Sequence, residues 1–150
     1  MVVLIIGILA SIALPQYQKA VLRARYVQLV TLGDSICRAS NLYYMANNAW
    51  TTNFDELDIS LPPGGTTTVE GSGTTVKYPG KFWIKLLNTT SANLVELKLS
   101  GTGLEYVNYC YKKQKECRSY NKTALEQGVC ASAGASKVAC SSCTYDVYLF

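Results

Sequence analysis

Eighteen consecutive residues, MVVLIIGILASIALPQYQ, open the chain without a charge, and the sequence turns polar directly after them. Such a run is costly to leave in water, because apolar burial is worth about 25 cal/mol per Å². Residues 1–18 therefore call for lipid, a partner or a core. As a helix, the stretch from Met1 to Leu14 would extend about 21 Å at ~1.5 Å per residue. That is short of a bilayer core of ~30 Å, which takes about 20 apolar residues to cross.

Three readings compete for this spike. A cleaved secretory signal fits the apolar run and the small residues Ser11 and Ala13, but no basic segment precedes it. A plain single-span anchor meets a charge problem. Lys19, Arg23 and Arg25 follow the run and would hold the remainder in the cytoplasm, whereas six cysteines argue for an oxidising exterior. A helix whose upstream part and basic flank lie N-terminal to Met1 removes both difficulties.

Residues 19–150 read as one small head domain. Charged residues make up 16% of the chain and hydrophobic ones 49%, so it is not disordered. A net charge of +4 is too mild to imply nucleic acid. Histidine is absent, which removes the commonest general base and metal-binding imidazole. With no triad, metal cluster or phosphate loop in the sequence, an exported enzyme is the weakest reading. No cofactor is expected.

The cysteines are Cys37, Cys110, Cys117, Cys130, Cys140 and Cys143, an even set that reads as a disulfide framework. The connectivity stays open, because six cysteines allow about 15 pairings. Zinc is the rival, since Cys140-Ser141-Ser142-Cys143 has ligand-like spacing and Cys110 or Cys117 would complete a set of thiolates. Cys37 lies apart. It either pairs with the C-terminal region and pins helix to sheet, or remains a free buried thiol.

Beyond Pro15 a helix should continue, with Leu22, Tyr26, Leu29, Ile36 and Tyr43 on one face. Pro15 should kink or locally open it, Gly33 is a second weak point, and the helix should end by Asn47-Asn48. A loop through Pro62-Pro63 and Gly64-Gly65 follows, with a helical turn at Phe54–Leu57. Thr66–Glu70 and Thr74–Tyr78 flank a hairpin turn. Lys81–Leu87 and Leu94–Leu99 flank a turn-rich NTTSAN. Leu104–Tyr111 and Cys143–Phe150 are further strand candidates. Lys112 to Cys143 shows little periodicity. The expected order is helix, antiparallel sheet, then a stapled C-terminal region, an α+β arrangement.

MVVLIIGILASIALPQYQKAV resembles the N-terminal helix of the type IV pilins and the related type II secretion pseudopilins, including Gly7, Ala10, Pro15 and Tyr17. YYMANNAWTTNFDELDISLP resembles the helix-to-loop passage of many pilins. The family's basic leader, methylated phenylalanine and near-terminal glutamate have no counterpart here. The resemblance implies a long N-terminal helix packed on an antiparallel sheet of about four or more strands, with a disulfide-stapled C-terminal region. Residues 1–18 would be membrane anchor and filament core, and residues 19–150 the pilin head.

The implied function is structural. The subunit is held in the bacterial inner membrane, then polymerises into an extracellular filament for adhesion, motility or DNA uptake. A pseudopilin in a periplasmic filament is the alternative within the family, and a membrane-tethered extracytoplasmic binding domain the alternative outside it. The implied partners are copies of the chain and other pilins, membrane lipid, the inner-membrane assembly machinery and a prepilin peptidase. The assembly helix would comprise Val2, Val3, Leu4, Ile5, Ile6, Gly7, Ile8, Leu9, Ala10, Ile12, Ala13, Leu14, Pro15 and Tyr17. Tyr17 is the best interface candidate among the helix tyrosines. The cysteine region would be the counterpart of the exposed pilin C-terminal loop. Lys112, Lys113, Lys115 and Arg118 form a basic cluster that is either an anionic-surface or DNA contact or a solvated loop. Glu116 interrupts it, and little aromatic interleaving supports base stacking.

Overall fold

A single helix, α1 (Val2–Asn47), carries the N-terminal third of the chain. The computed structural model describes residues 2–89 and 92–150. Of Val2–Ile6, Ile8, Leu9 and Ala92 it describes the backbone alone. The helical spacing seen in the sequence is the packing face. Tyr26, Leu29, Ile36, Cys37 and Ala39 are buried, and Leu22 and Tyr43 pack against the edge of the same core. The helix passes unbroken through Pro15, which corrects the expected local opening. Proline removes one backbone donor, and the flanking turns retain helical geometry around that loss. Gly33 is no break either, because its lack of a side chain lets the helix close on Tyr106 and Leu97 of the sheet.

After one 3₁₀ turn at Phe54–Glu56 come β1 (Thr66–Glu70), β2 (Gly73–Tyr78), β3 (Phe82–Thr89), β4 (Ala92–Leu99), β5 (Leu104–Tyr109) and β6 (Gln114–Ser119). Then follow α2 (Ala124–Ser132), β7 (Ser136–Val138) and β8 (Asp146–Leu149). Among the described residues these strands form one eight-stranded sheet in the order β1-β2-β3-β4-β5-β6-β8-β7. Each neighbouring pair runs antiparallel.

The fold is α+β, a long helix laid on an antiparallel sheet. Period-two alternation sends Val95, Leu97 and Leu99 of β4, and Leu104 and Tyr106 of β5, into the helix-facing core.

The β1–β2 hairpin has the expected strands, with Glu70 paired to Gly73 and a two-residue turn in which Gly71 takes a positive φ of 54°. NTTSAN is less of a loop than its composition suggests, since Asn88 pairs with Asn93 and Thr89 with Ala92. Thr90 and Ser91 lie outside the described residues. The stretch from Lys112 to Cys143, read as aperiodic, holds β6, α2 and β7. The inward positions of β6 are Lys115, Cys117 and Ser119, matched against Asn108, Tyr106 and Leu104. Their contacts are ionic, covalent and hydrogen-bonded, so no apolar alternation marks the strand.

Candidate assembly surface

Beyond the head, α1 projects an apolar segment that no described residue covers. Ile12 is 57% exposed, Leu14 60% and Tyr17 68%. Gly7, Ala10, Ala13 and Pro15 are exposed with them. Contiguous exposed apolar surface of this kind marks an interaction site. The side chains of Val2, Val3, Leu4, Ile5, Ile6, Ile8 and Leu9 lie outside the described residues. No helix is long and apolar enough to cross a membrane among the described residues.

A collar of cations follows the apolar face. Lys19 reaches α2, where a Cβ added to Gly128 would lie 3.3 Å from its Nζ. Arg23 donates to the Ser132 carbonyl at 2.8 Å. Arg25 and Lys81 edge a groove of about 490 Å³ whose floor includes Leu29, Leu32, Phe82 and Leu99. Higher on the outer face, Val27, Leu42 and Met45 are also exposed.

Three disulfides tie the head. Cys37 of α1 is bonded to Cys110 just after β5, with Cα atoms 5.1 Å apart. Cys117 of β6 is bonded to Cys130 of α2, and Cys140 to Cys143 in the loop before β8. Cys37 is therefore not a free thiol but pins helix to sheet. All six sulfurs are used in this way, which removes the thiolates of the alternative zinc reading.

Polar side chains complete the helix–sheet joint. Asp34 of α1 accepts from the Tyr106 hydroxyl at 2.6 Å, the Asn108 amide at 2.9 Å and the Lys115 ammonium at 2.7 Å. Asn93 of β4 donates to the Ser40 hydroxyl and to the Thr51 carbonyl. Buried Glu126 in the first turn of α2 accepts from the Gly103 amide at 2.7 Å, the Ser119 hydroxyl at 2.9 Å and the Asn121 amide at 3.0 Å. Thr123 caps that helix by accepting from the Glu126 amide.

The basic cluster is divided. Lys115 is paired with Asp34. Arg118 lies on the sheet face away from α1, at 2.9 Å from Glu116, 3.4 Å from Glu105 and 3.9 Å from Glu96. Its guanidinium also donates to the Tyr109 hydroxyl and sits 5.1 Å from the Tyr145 ring centre. Burial pushes the Glu96 carboxyl above its ordinary range; neighbouring Glu105 adds to the rise, and Arg118 and Lys85 oppose it. Of the basic cluster, only Lys112 and Lys113 are exposed, at the β5–β6 turn.

The tyrosines divide similarly. Tyr26 is in the core, Tyr44 stacks on Trp50 at 4.3 Å, and Tyr17 is open to solvent. A hydrogen bond to Glu56 raises the Tyr43 hydroxyl above its ordinary value, helped by slight desolvation. The Asp34 cluster joins residues 72 to 81 positions apart, and the Glu126 cluster joins α2 to the β5 and β6 ends. Only the Thr123-x-x-Glu126 capping pattern signalled one of them.

Among curated proteins, the chain is similar to two forms of type IV major pilin protein PilE1 of Neisseria gonorrhoeae. Each is 34% identical over 62 residues, which is 41% of this chain. The chain is a relative of the type IV pilins. The matched stretch spans 38% of one gonococcal pilin and 34% of the other. No family model matches the chain, and no solved structure does. The pilin relationship agrees with the long helix laid on an antiparallel sheet and with the disulfide-bonded C-terminal region.

Proposed function

We propose that the chain is a structural, non-catalytic subunit of a type IV pilus. Residues 1–18 are held in the inner membrane before assembly and pack into the filament core afterwards. The carrying observation is the exposed apolar segment of α1 at Ile12, Leu14 and Tyr17, which takes no part in the core of the head. Similarity to a major pilin supplies the partner class, further copies of the chain and other pilins.

The physical logic is an exchange of surroundings. Lipid already shields the apolar face, so moving it into a protein core gains little from apolar burial alone. Close packing and polar contacts must favour the filament. Gly7 and Ala10 leave room for neighbouring helices to approach. The covalent tie between α1 and β5 keeps the head on its helix while the helix is drawn from lipid. In this reading the other partners are the inner-membrane assembly machinery and a prepilin peptidase. The filament is extracellular, serving adhesion, motility or DNA uptake.

Immuno-electron microscopy of producing cells, with antibody raised against residues 19–150, tests this. Labelled surface filaments are expected, and Leu14→Lys should abolish them while the head stays folded. Label confined to the envelope, with no filament, would overturn the pilus reading. Short filaments confined to the periplasm would point to a pseudopilin.

A further inference from the structure

We propose that the Cys140–Cys143 disulfide is a thiol-exchange site, opened by low-molecular-weight thiols while the other two disulfides stay closed. Exchange requires a thiolate to reach one sulfur of the bond. Cys117 and Cys130 are fully buried, and Cys37 and Cys110 are each only 5% exposed. Cys140 is exposed and Cys143 half-buried, in a loop with no regular structure.

The ring sizes act in the same direction. Only 3 residues of sequence separate Cys140 from Cys143, against 13 and 73 for the other pairs. A short ring restrains the open chain least, so this bond contributes least to the stability of the fold and its opening costs the fold least.

The chemistry is a two-step exchange. An incoming thiolate attacks Sγ of Cys140, forming a mixed disulfide and releasing Cys143 as thiolate. A second thiol then attacks the mixed disulfide. One small-molecule disulfide leaves, both cysteines are reduced, and two thiols are oxidised. Return of Cys143 onto the mixed disulfide restores the starting bond, so the site is reversible.

Opening has a structural consequence on the sheet. Tyr145, two residues beyond Cys143, lies 4.7 Å from the Tyr120 ring and covers the Arg118 guanidinium. The closed disulfide holds the segment that delivers this ring. Reduction lets Tyr145 leave, exposing Arg118 and the carboxylates paired with it. This inference stands apart from the pilus reading and holds whether or not the chain forms filaments.

The test uses the folded chain in graded reduced glutathione at neutral pH without denaturant, quenched with iodoacetamide and mapped by peptide mass. Cys140 and Cys143 should be labelled at least about tenfold faster than the other four cysteines. Equal labelling of all six, or earlier opening of Cys117–Cys130, would overturn the assignment. Nitration by tetranitromethane reads the second step, with exposed Tyr17 as internal reference. Tyr145 should react several-fold faster in the reduced, iodoacetamide-blocked protein and in the C140S/C143S variant, whose far-ultraviolet circular dichroism should match wild type. Unchanged Tyr145 reactivity in both would sink the release of the cover.

Discussion

A methyl group on Gly33 of α1 would sit 2.6 Å from Cε1 of Tyr106 on β5, and 2.8 Å from Cδ1 of Leu97 on β4. The Tyr106 ring has little freedom to retreat, because its hydroxyl donates to Asp34 on the same helix. Gly33→Ala gains about 1 kcal/mol of helix propensity. Against that stands an overpacking cost of about 1–3 kcal/mol. The expected net effect is a loss of about 1 kcal/mol, read as a lower urea midpoint at unchanged slope. A midpoint at or above wild type would mean that the Tyr106–Leu97 wall yields.

Glu96, Glu105 and Glu116 share one guanidinium, and Glu96 stands farthest from it. Its carboxyl is raised in the folded state, chiefly by burial. A raised acid favours folding only while protonated. Its contribution is therefore present below the unfolded value of about 4.3 and is lost as pH rises through the folded value. Glu96→Gln should raise stability at pH 7, with the difference from wild type closing near pH 4. Paired urea titrations at the two pH values check this. A variant less stable at pH 7 would show that Arg118 depends on Glu96.

The contrast between α1 and β6 explains what the sequence disclosed. Tyr26, Leu29 and Ile36 are apolar and recur at helical spacing, so burial and periodicity coincide. On β6 the inward side chains are Lys115, Cys117 and Ser119, each satisfied by a polar or covalent partner on another element: Asp34, Cys130 and Glu126. Composition cannot reveal such partners, and the strand stayed hidden. Gly33 misled for a related reason. Its helix propensity is a local property, whereas its role is set by a tyrosine 73 positions away. The apolar segment at Ile12, Leu14 and Tyr17 was legible because no described residue packs over it.

The two buried disulfides should differ in worth. Cys37–Cys110 closes a span of 73 residues and Cys117–Cys130 one of 13. In the chain-entropy model these correspond to about 4 and about 3 kcal/mol. C37A/C110A should therefore lower the thermal midpoint more than C117A/C130A does. It should also separate α1 from β5 first, seen as faster amide exchange in residues 34–44. The reverse order would assign the greater role to the β6–α2 tie.

Alkaline pH should unfold the head through its tyrosines. Burial raises the Tyr26 hydroxyl far above its ordinary value, with Glu105 adding to it. Burial likewise raises Tyr106, reinforced by its hydrogen bond to Asp34. Tyr120 is pushed up to about 12 by desolvation and Glu105. In the unfolded chain all three ionise near pH 10. The stability they contribute is therefore full below about pH 10 and is lost as pH climbs toward the folded values. For Tyr26 and Tyr106 the decline is about 1.4 kcal/mol per pH unit each. Absorbance at 295 nm should show the exposed tyrosines titrating first, then a cooperative step as the core ionises on unfolding. The Tyr26 hydroxyl is buried with no hydrogen-bond partner among the described residues. Tyr26→Phe should therefore keep neutral-pH stability, or raise it by about 1 kcal/mol, and move the cooperative step to higher pH. A step at lower pH in the variant would mean that the Tyr26 hydroxyl stabilises the core through a contact of its own.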